Sequence, residues 1–208
     1  IIFIMSHLRS ANDNKSADND LQLNYLKKSS SFFPKIKVSL ANTNGIILGD
    51  KYIFDQTRPG IGIYGIDANG VTISKQKKFK FPIKLYCPIL QIRYAKKGEK
   101  ISYGGLSKLS RNSKLATIGL GYADGLLRHL RKKIKIKIYN TECQIMGSIT
   151  MDSFVLDITD VHEENLRIGE YIELMNSENY YDNFISGTNL SVYELLTIFS
   201  QRIKRVYN

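Results

Sequence analysis

The 208-residue sequence contains no apolar run approaching the roughly 20 residues of a membrane-spanning helix, which excludes such a span within it. Its opening, Ile1–Met5, is apolar but far shorter than the roughly 7–15 residues of a signal-peptide core. A cytoplasmic location with no membrane partner is therefore expected. Only two cysteines are present, Cys87 and Cys143, isolated and without metal-ligand spacing. That argues against a disulfide framework and predicts two reduced, half-buried thiols. The three histidines, His7, His129 and His162, form no HxH or HxxxH pair, so nothing points to a metal. No internal repeat is present. Acidic residues are also scarce, 19 against 30 Lys and Arg, for a net charge of +11. Such a balance raises nucleic-acid binding. The basic residues, however, are spread over Lys75–Lys84, Lys96–Lys100 and Arg128–Lys137, and they often alternate with isoleucine. Ile134-Lys-Ile-Lys-Ile138 has the period of a strand with one wet lysine face, so solvated faces are expected in place of a nucleic-acid partner.

What the chain does contain is ordinary for a globular protein: 43% apolar and 24% charged residues, enough for a real core. The first third alternates strand and helix signals. Ile1–His7 reads as a strand, Leu21–Phe33 as a weak helix ended by Pro34, and Ile36–Leu40 as a second strand. Asn42-Thr43-Asn44 reads as the cap of a short helix through Leu48, and Ile61–Tyr64 as a further apolar strand. This alternation predicts a parallel α/β arrangement, the last quarter of a barrel, with His7, Asn42 and Thr43 at strand ends where barrel sites are built. From about residue 70 short β-branched segments follow: Ile83–Tyr94, Leu115–Leu120, Ile134–Ile138, Gln144–Ile149, Phe154–Ile158 and Tyr171–Leu174. They predict an antiparallel β domain. Ser177–Ser186 reads as a polar, flexible loop, and Leu190–Ser200 as a closing helix.

Three glycine-rich pieces carry the chemical signal: Arg58-Pro-Gly-Ile-Gly-Ile-Tyr-Gly65, Ile101-Ser-Tyr-Gly-Gly105 and Gly121-Tyr-Ala-Asp-Gly125, with Thr150-Met-Asp152 after them. Glycine lets backbone approach a ligand closely while one functional group points at it. A phenol has an unperturbed pKa near ~10, so Tyr103 would act as acid or base at neutral pH only beside cations; Arg58 and His7 are the candidates. Each residue also has a plain structural reading. Tyr103 flanks a turn with its ring half buried, and His7 is a hydrogen-bonded strand-end residue. Arg58 pairs with Asp55, Asp124 makes an Asx turn, and Met151 and Tyr193 are core. Their joint occurrence carries the functional reading.

These residues resemble the alanine racemase family. The matching pieces are Met5-Ser-His7-Leu, Ser39-Leu-Ala-Asn42, the Arg58 motif, Gly98-Glu-Lys-Ile-Ser-Tyr103-Gly and the Tyr122 motif. They continue with Met146-Gly-Ser-Ile-Thr-Met151-Asp152, Val192-Tyr193-Glu194 and Ser200-Gln-Arg-Ile-Lys-Arg-Val-Tyr207, all in the family's order. The resemblance implies the end of a (β/α)8 barrel over residues 1–68, then a mainly antiparallel β domain over 69–208. It implies pyridoxal 5'-phosphate (PLP) as cofactor, alanine as substrate, D-alanine for peptidoglycan as product, and a head-to-tail homodimer. In that resemblance Tyr103 is the catalytic tyrosine, His7 its hydrogen-bonded neighbour, and Arg58 the donor to the pyridine nitrogen. Thr43, Gly60, Ile61 and Tyr193 match phosphate-holding positions. Met151 matches the residue whose backbone meets the substrate carboxylate, and Tyr122 and Asp152 line the entrance, with Tyr103 and Met151 serving the partner's barrel. A second base, the PLP lysine, and a substrate-binding arginine belong to a region of the family that the chain does not match. Ser148 stands where many members have arginine, and Lys204 where many have proline. The chain is expected to be a fragment, inactive alone. Racemisation of another amino acid such as serine, and a non-catalytic basic binding module, are the alternatives.

Overall fold

The structure, a computed structural model, describes residues 1–66, 81–139, 141–162 and 166–207. Its contacts divide the chain into two compact units, Ile1–Pro82 and Ile83–Asn208. The expected boundary between residues 68 and 69 lies outside the described residues.

In the first unit, β1 (Phe3–Met5), β2 (Lys37–Asn42) and β3 (Gln56–Arg58) form a parallel sheet in sequence order. Parallel strands need a crossover, and α1 (Ala17–Ser30) supplies the first one. The helix begins earlier than its apolar residues suggest. Asp18 and Asp20 in its first turn and Lys27 and Lys28 in its last complement the helix dipole. It stops at Ser30, ahead of Pro34. Leu23 and Leu26 pack with Leu8, Val38, Leu40 and Tyr52 in one buried cluster. Among the described residues these three strands form no closed barrel.

Ile61–Tyr64 is not a strand. It is a single 3-10 turn, and the strand beside β2 is the preceding Gln56–Arg58. The reason lies in two glycines and one side chain from elsewhere in the sequence: Gly60 sits at φ −102°, ψ −89°, Gly65 enters the left-handed region at φ 70°, and the Thr43 hydroxyl accepts the amides of both Gly60 and Gly62. Amides so engaged cannot join a ladder. The short helix α2 (Thr43–Leu48) forms as its cap signal predicts, with the Asn42 side chain accepting from the Gly45 amide at 2.8 Å.

The second unit contains β4 (Leu85–Ala95), β5 (Lys100–Ile101), β6 (Ser107–Lys108), β7 (Ser113–Ile118), β8 (Ile136–Ile138) and β9 (Thr141–Cys143). They are followed by β10 (Ile145–Met146), β11 (Phe154–Asp157) and β12 (Tyr171–Met175). Five of them build an antiparallel sheet in the order β10-β11-β7-β4-β12, and β5-β6 and β8-β9 are separate hairpin pairs. The period-two reading of Ile134–Ile138 holds: Ile136 and Ile138 are buried and Lys137 is exposed. The Gln144–Ile149 segment is strand only over Ile145–Met146, because Gly147 at φ 74° turns the chain away.

Ser177–Ser186 is not a loose loop. Tyr181–Ile185 forms a π-helical turn in which Asn183 and Phe184 are buried behind Tyr180, and Asn183 Nδ2 donates to the Leu174 carbonyl. Two aromatics four residues apart, Tyr180 and Phe184, anchor a segment in which six of ten residues are Ser, Asn, Asp or Glu. The closing helix α3 (Val192–Ile198) carries a capping box, Ser191 with Glu194. It buries Val192 and Leu195; Tyr193, expected in the core, is half exposed.

Both cysteines are fully buried, not half buried. Burial disfavours the thiolate and pushes Cys87 up to about 12 and Cys143 up to about 11. At pH 8 the native chain should react with a disulfide-exchange reagent far more slowly than the chain in urea. Rapid modification of two thiols in the native protein would contradict this packing. Among the described residues no helix is long and apolar enough to cross a membrane, and no group of three or more His, Cys, Asp or Glu could hold a metal.

Candidate functional site

In the first unit the candidate residues gather at the ends of β1, β2 and β3. Arg58, last residue of β3, does not pair with Asp55, which instead accepts the Val38 amide at 2.8 Å. The Arg58 guanidinium spans the sheet: it donates to Ser39 Oγ, to the Ser6 carbonyl at 2.6 Å and to the Leu40 carbonyl at 3.4 Å. Partners on β2 and just past β1 fix its plane, as the rigid fork of a guanidinium allows.

His7 lies one residue beyond Ser6, and its Nε2 meets Asn42 Nδ2 at 3.1 Å. Asn42 Oδ1 is committed to the Gly45 amide, so the end of the amide facing His7 is the NH2 donor. That assigns His7 the tautomer with a bare, accepting Nε2. Arg58 and His7 share no hydrogen bond among the described residues: the guanidinium is held by Ser39, Ser6 and Leu40, and His7 Nε2 by Asn42. Thr43 follows Asn42 at the start of α2. Its Oγ1 accepts from Gly60 N at 3.1 Å and Gly62 N at 3.0 Å. A hydroxyl has two acceptor lone pairs and one proton, so two accepted bonds leave the proton to donate. Thr43, Gly60 and Ile61 thus form one small polar turn. A Cβ on Gly62 would come within 2.8 Å of Thr43 Cγ2, so only glycine lets the turn close on that hydroxyl.

In the second unit the remaining glycine motifs are stitched together through Met146–Asp152. Tyr103 sits in a tight turn with Ser102 at φ 66°, Gly104 at 67° and Gly105 at 60°. The turn is held from below: Gly147 N donates to Ser107 Oγ at 2.8 Å, and a Cβ on Gly147 would fall 2.2 Å from Ser102 Cβ. Tyr103 is 79% exposed, not half buried, and its phenol makes no hydrogen bond among the described residues of its unit. A groove of about 310 Å³ beside it is lined by Ser102, Ser148, Thr150 and Ser153 among others.

Four residues further along, Thr150 and Met151 accept from the Tyr122 and Ala123 amides at 2.9 and 3.0 Å. Met151, expected in the core on its structural reading, has its side chain half exposed. Asp124 is buried and does not simply make an Asx turn. One of its oxygens accepts from Gly121 N at 2.8 Å, and the other faces Arg202 Nε at 3.4 Å. Arg202 also reaches Asp152 Oδ1 at 2.5 Å. The Tyr122 ring carries Arg128 over its face at 6.0 Å from the centroid.

The candidates therefore form two sets. His7, Arg58, Thr43, Gly60 and Ile61 belong to the first unit; Tyr103, Tyr122, Met151 and Asp152 belong to the second, as does Tyr193 on α3. Sequence reasoning missed the second function of Asn42 as the partner of His7, and it missed Ser107, Asp124 and Arg202 as supports. The clustering of glycine near Asp124 was a usable signal for that carboxylate. Nothing local marks Arg202, which reaches it only through the return of the C-terminal segment, where Ser200 N donates to the Asp124 carbonyl.

Comparison with known proteins completes the assignment. The alanine racemase N-terminal domain family matches residues 1–68, and the alanine racemase C-terminal domain family matches residues 83–207. The alanine racemase of Brucella ovis is 34% identical over 217 residues, covering 100% of this chain and 55% of the relative. That of Rickettsia bellii is 33% identical, covering 99% of this chain and 50% of the relative. The solved alanine racemase from Bartonella henselae, which has covalently bound pyridoxal phosphate, superposes with a TM-score of 0.87 at 35% identity. It covers 100% of this chain and 57% of that one. The chain spans about half the length of the curated relatives it matches. With both family domains matched in order and the fold shared over its whole length, the chain belongs to the alanine racemase family.

Proposed function

We propose that this chain supplies the C-terminal half of a PLP-dependent alanine racemase, which interconverts L- and D-alanine and provides D-alanine for peptidoglycan in the cytoplasm. On this reading residues 1–68 end a (β/α)8 barrel and residues 69–208 form its β domain. The observation that carries the proposal is the cross-sheet clamp on Arg58 beside the Thr43–Gly60–Ile61 turn. One points a fixed cation, the other a free hydroxyl proton, at the ends of parallel strands, where an anionic aromatic cofactor is held in such folds.

The polar groups present fit that cofactor. Arg58 would donate to the pyridine nitrogen, and because guanidinium stays protonated it leaves that nitrogen without a proton of its own. Thr43 Oγ1, with Gly60, Ile61 and Tyr193, would hold the phosphate. When bound, PLP supplies the electron sink that acidifies the amino-acid Cα–H. Tyr103 takes or returns a proton at Cα on one face in the barrel it serves, with that barrel's His7 completing its hydrogen-bond environment. Met151 offers its backbone to the substrate carboxylate, and Tyr122 and Asp152 line the approach. The exposure of Tyr103 and Met151 supports a head-to-tail dimer in which they serve the partner's barrel. The second base has no counterpart among the 208 residues, whose lysines lack the family's lysine context.

The test is chiral chromatography of L-alanine and L-serine incubated with the chain alone and with the chain joined to the upstream lysine-bearing segment of a relative. The joined protein should show PLP absorbance and racemise alanine in preference to serine, whereas the 208-residue chain should do neither reaction. Preference for serine, or no PLP absorbance in the joined protein, would overturn the assignment.

A further inference from the structure

Two carboxylates, Asp124 and Asp152, flank the backbone of Tyr122 and Met151, the segment that on the reading above receives a substrate carboxylate. Two negative charges beside an anion site raise the free energy of the bound anion. A single guanidinium lies between them: Arg202 Nη2 is 2.5 Å from Asp152 Oδ1, and Nε is 3.4 Å from Asp124 Oδ1. Asp124 is buried and also holds the Gly121 amide, so it cannot turn away; Asp152 is exposed and can. The backbone between the Tyr122 turn and Met151 is already fixed without Arg202, by the Tyr122 N and Ala123 N hydrogen bonds to the Thr150 and Met151 carbonyls. Removing Arg202 would therefore change the charge at this place more than its shape. We propose that Arg202 is a positioning residue that neutralises Asp124 and pins Asp152 away from the Met151 backbone, so that this segment accepts a carboxylate. The inference rests on the carboxylate-binding reading of Met151 and deepens it.

Acetate serves as the probe, because it is a carboxylate that needs neither cofactor nor turnover. In the 15N-labelled chain, acetate should shift the Met151 and Asp152 amide resonances. Arg202→Met should weaken the apparent Kd about two- to fivefold, the range expected for partly exposed charges. The weakening should shrink in high salt as screening takes over. The double variant Arg202→Met with Asp152→Asn should recover the part of the loss due to Asp152, Asp124 remaining without its cation, and mere loosening of the fold would allow no such recovery. Asp152→Asn alone, which leaves Arg202 on Asp124, should bind acetate at least as tightly as the unaltered chain, and it carries the test if Arg202→Met does not fold. Unchanged affinity in Arg202→Met, a loss that Asp152→Asn fails to rescue, or weaker binding in Asp152→Asn alone would overturn the role of Arg202. Absence of any acetate shift in the unaltered chain would instead overturn the carboxylate reading of Met151 itself.

Discussion

Tyr103→Phe, in the chain joined to the lysine-bearing segment of a relative, is expected to lower alanine racemisation by about 10²–10⁴-fold, the range for loss of a positioned acid or base. The change removes one oxygen from a ring that is 79% exposed and whose phenol makes no hydrogen bond among the described residues of its unit. Stability should consequently stay within about 0.5 kcal/mol, as for other surface substitutions. The left-handed conformations of Ser102, Gly104 and Gly105 are backbone properties and survive the change. The loss should appear in kcat, with PLP absorbance and the thermal unfolding midpoint unaltered. Near-normal turnover would remove Tyr103 from the reaction; a parallel fall in unfolding temperature would make it a structural residue.

Gly121→Ala should have a large effect on stability. A Cβ there would lie 2.1 Å from the Met151 carbonyl oxygen, 2.3 Å from its carbon and 2.4 Å from Asp152 N. All three are backbone atoms, so no rotamer change relieves the clash. The cost is steric and not conformational, since Gly121 at φ −135°, ψ −169° is extended backbone open to any residue. To admit the methyl group, the hydrogen bonds from Tyr122 N and Ala123 N to the Thr150 and Met151 carbonyls must lengthen or break. Two such bonds at about 1 kcal/mol each, with about 1–3 kcal/mol of overpacking, give a loss of about 3–5 kcal/mol in urea unfolding. Gly119→Ala is the comparison: its Cβ would meet only side-chain atoms, Pro88 Cγ at 3.0 Å and Leu90 Cδ2 at 3.3 Å, and about 1 kcal/mol is expected. Equal costs at the two positions would contradict the backbone contact at Gly121.

The strands of the second unit are legible where β-branched residues run between turn residues, as in β4, β7, β11 and β12, and period two reads β8 correctly. The cap at Asn42 is legible because a single side chain satisfies a single nearby amide. Ile61–Tyr64 misleads because its residues suit a strand while the fate of its amides is decided by Thr43, a partner distant in sequence. The turn at Tyr181–Ile185 misleads in the opposite sense, since a polar composition conceals two aromatic anchors. For the candidate site, the glycine motifs mark where backbone is crowded but not against what. That Gly121 crowds Met151, that Gly147 crowds Ser102, and that Arg202 returns to Asp124 are facts of register and chain return, which no local pattern encodes.

The strand order of the second unit also sets a timetable for synthesis. β4 pairs on one side with β7, only a hairpin away, but on its other side with β12, where Ile172 lies opposite Cys87 and Met175 opposite Leu85. At about 5–20 residues per second, the ribosome delivers that second partner roughly four to eighteen seconds after the first residues of β4 emerge. Throughout this interval one edge of β4, with Cys87 and Ile89 in it, stays unpaired. Pairing across such a span is slow, and open edges recruit other chains. Yield in a cell should therefore depend on how long nascent chains wait for Tyr171–Met175, and a ribosomal pause just ahead of that strand should increase aggregation without altering a single native contact.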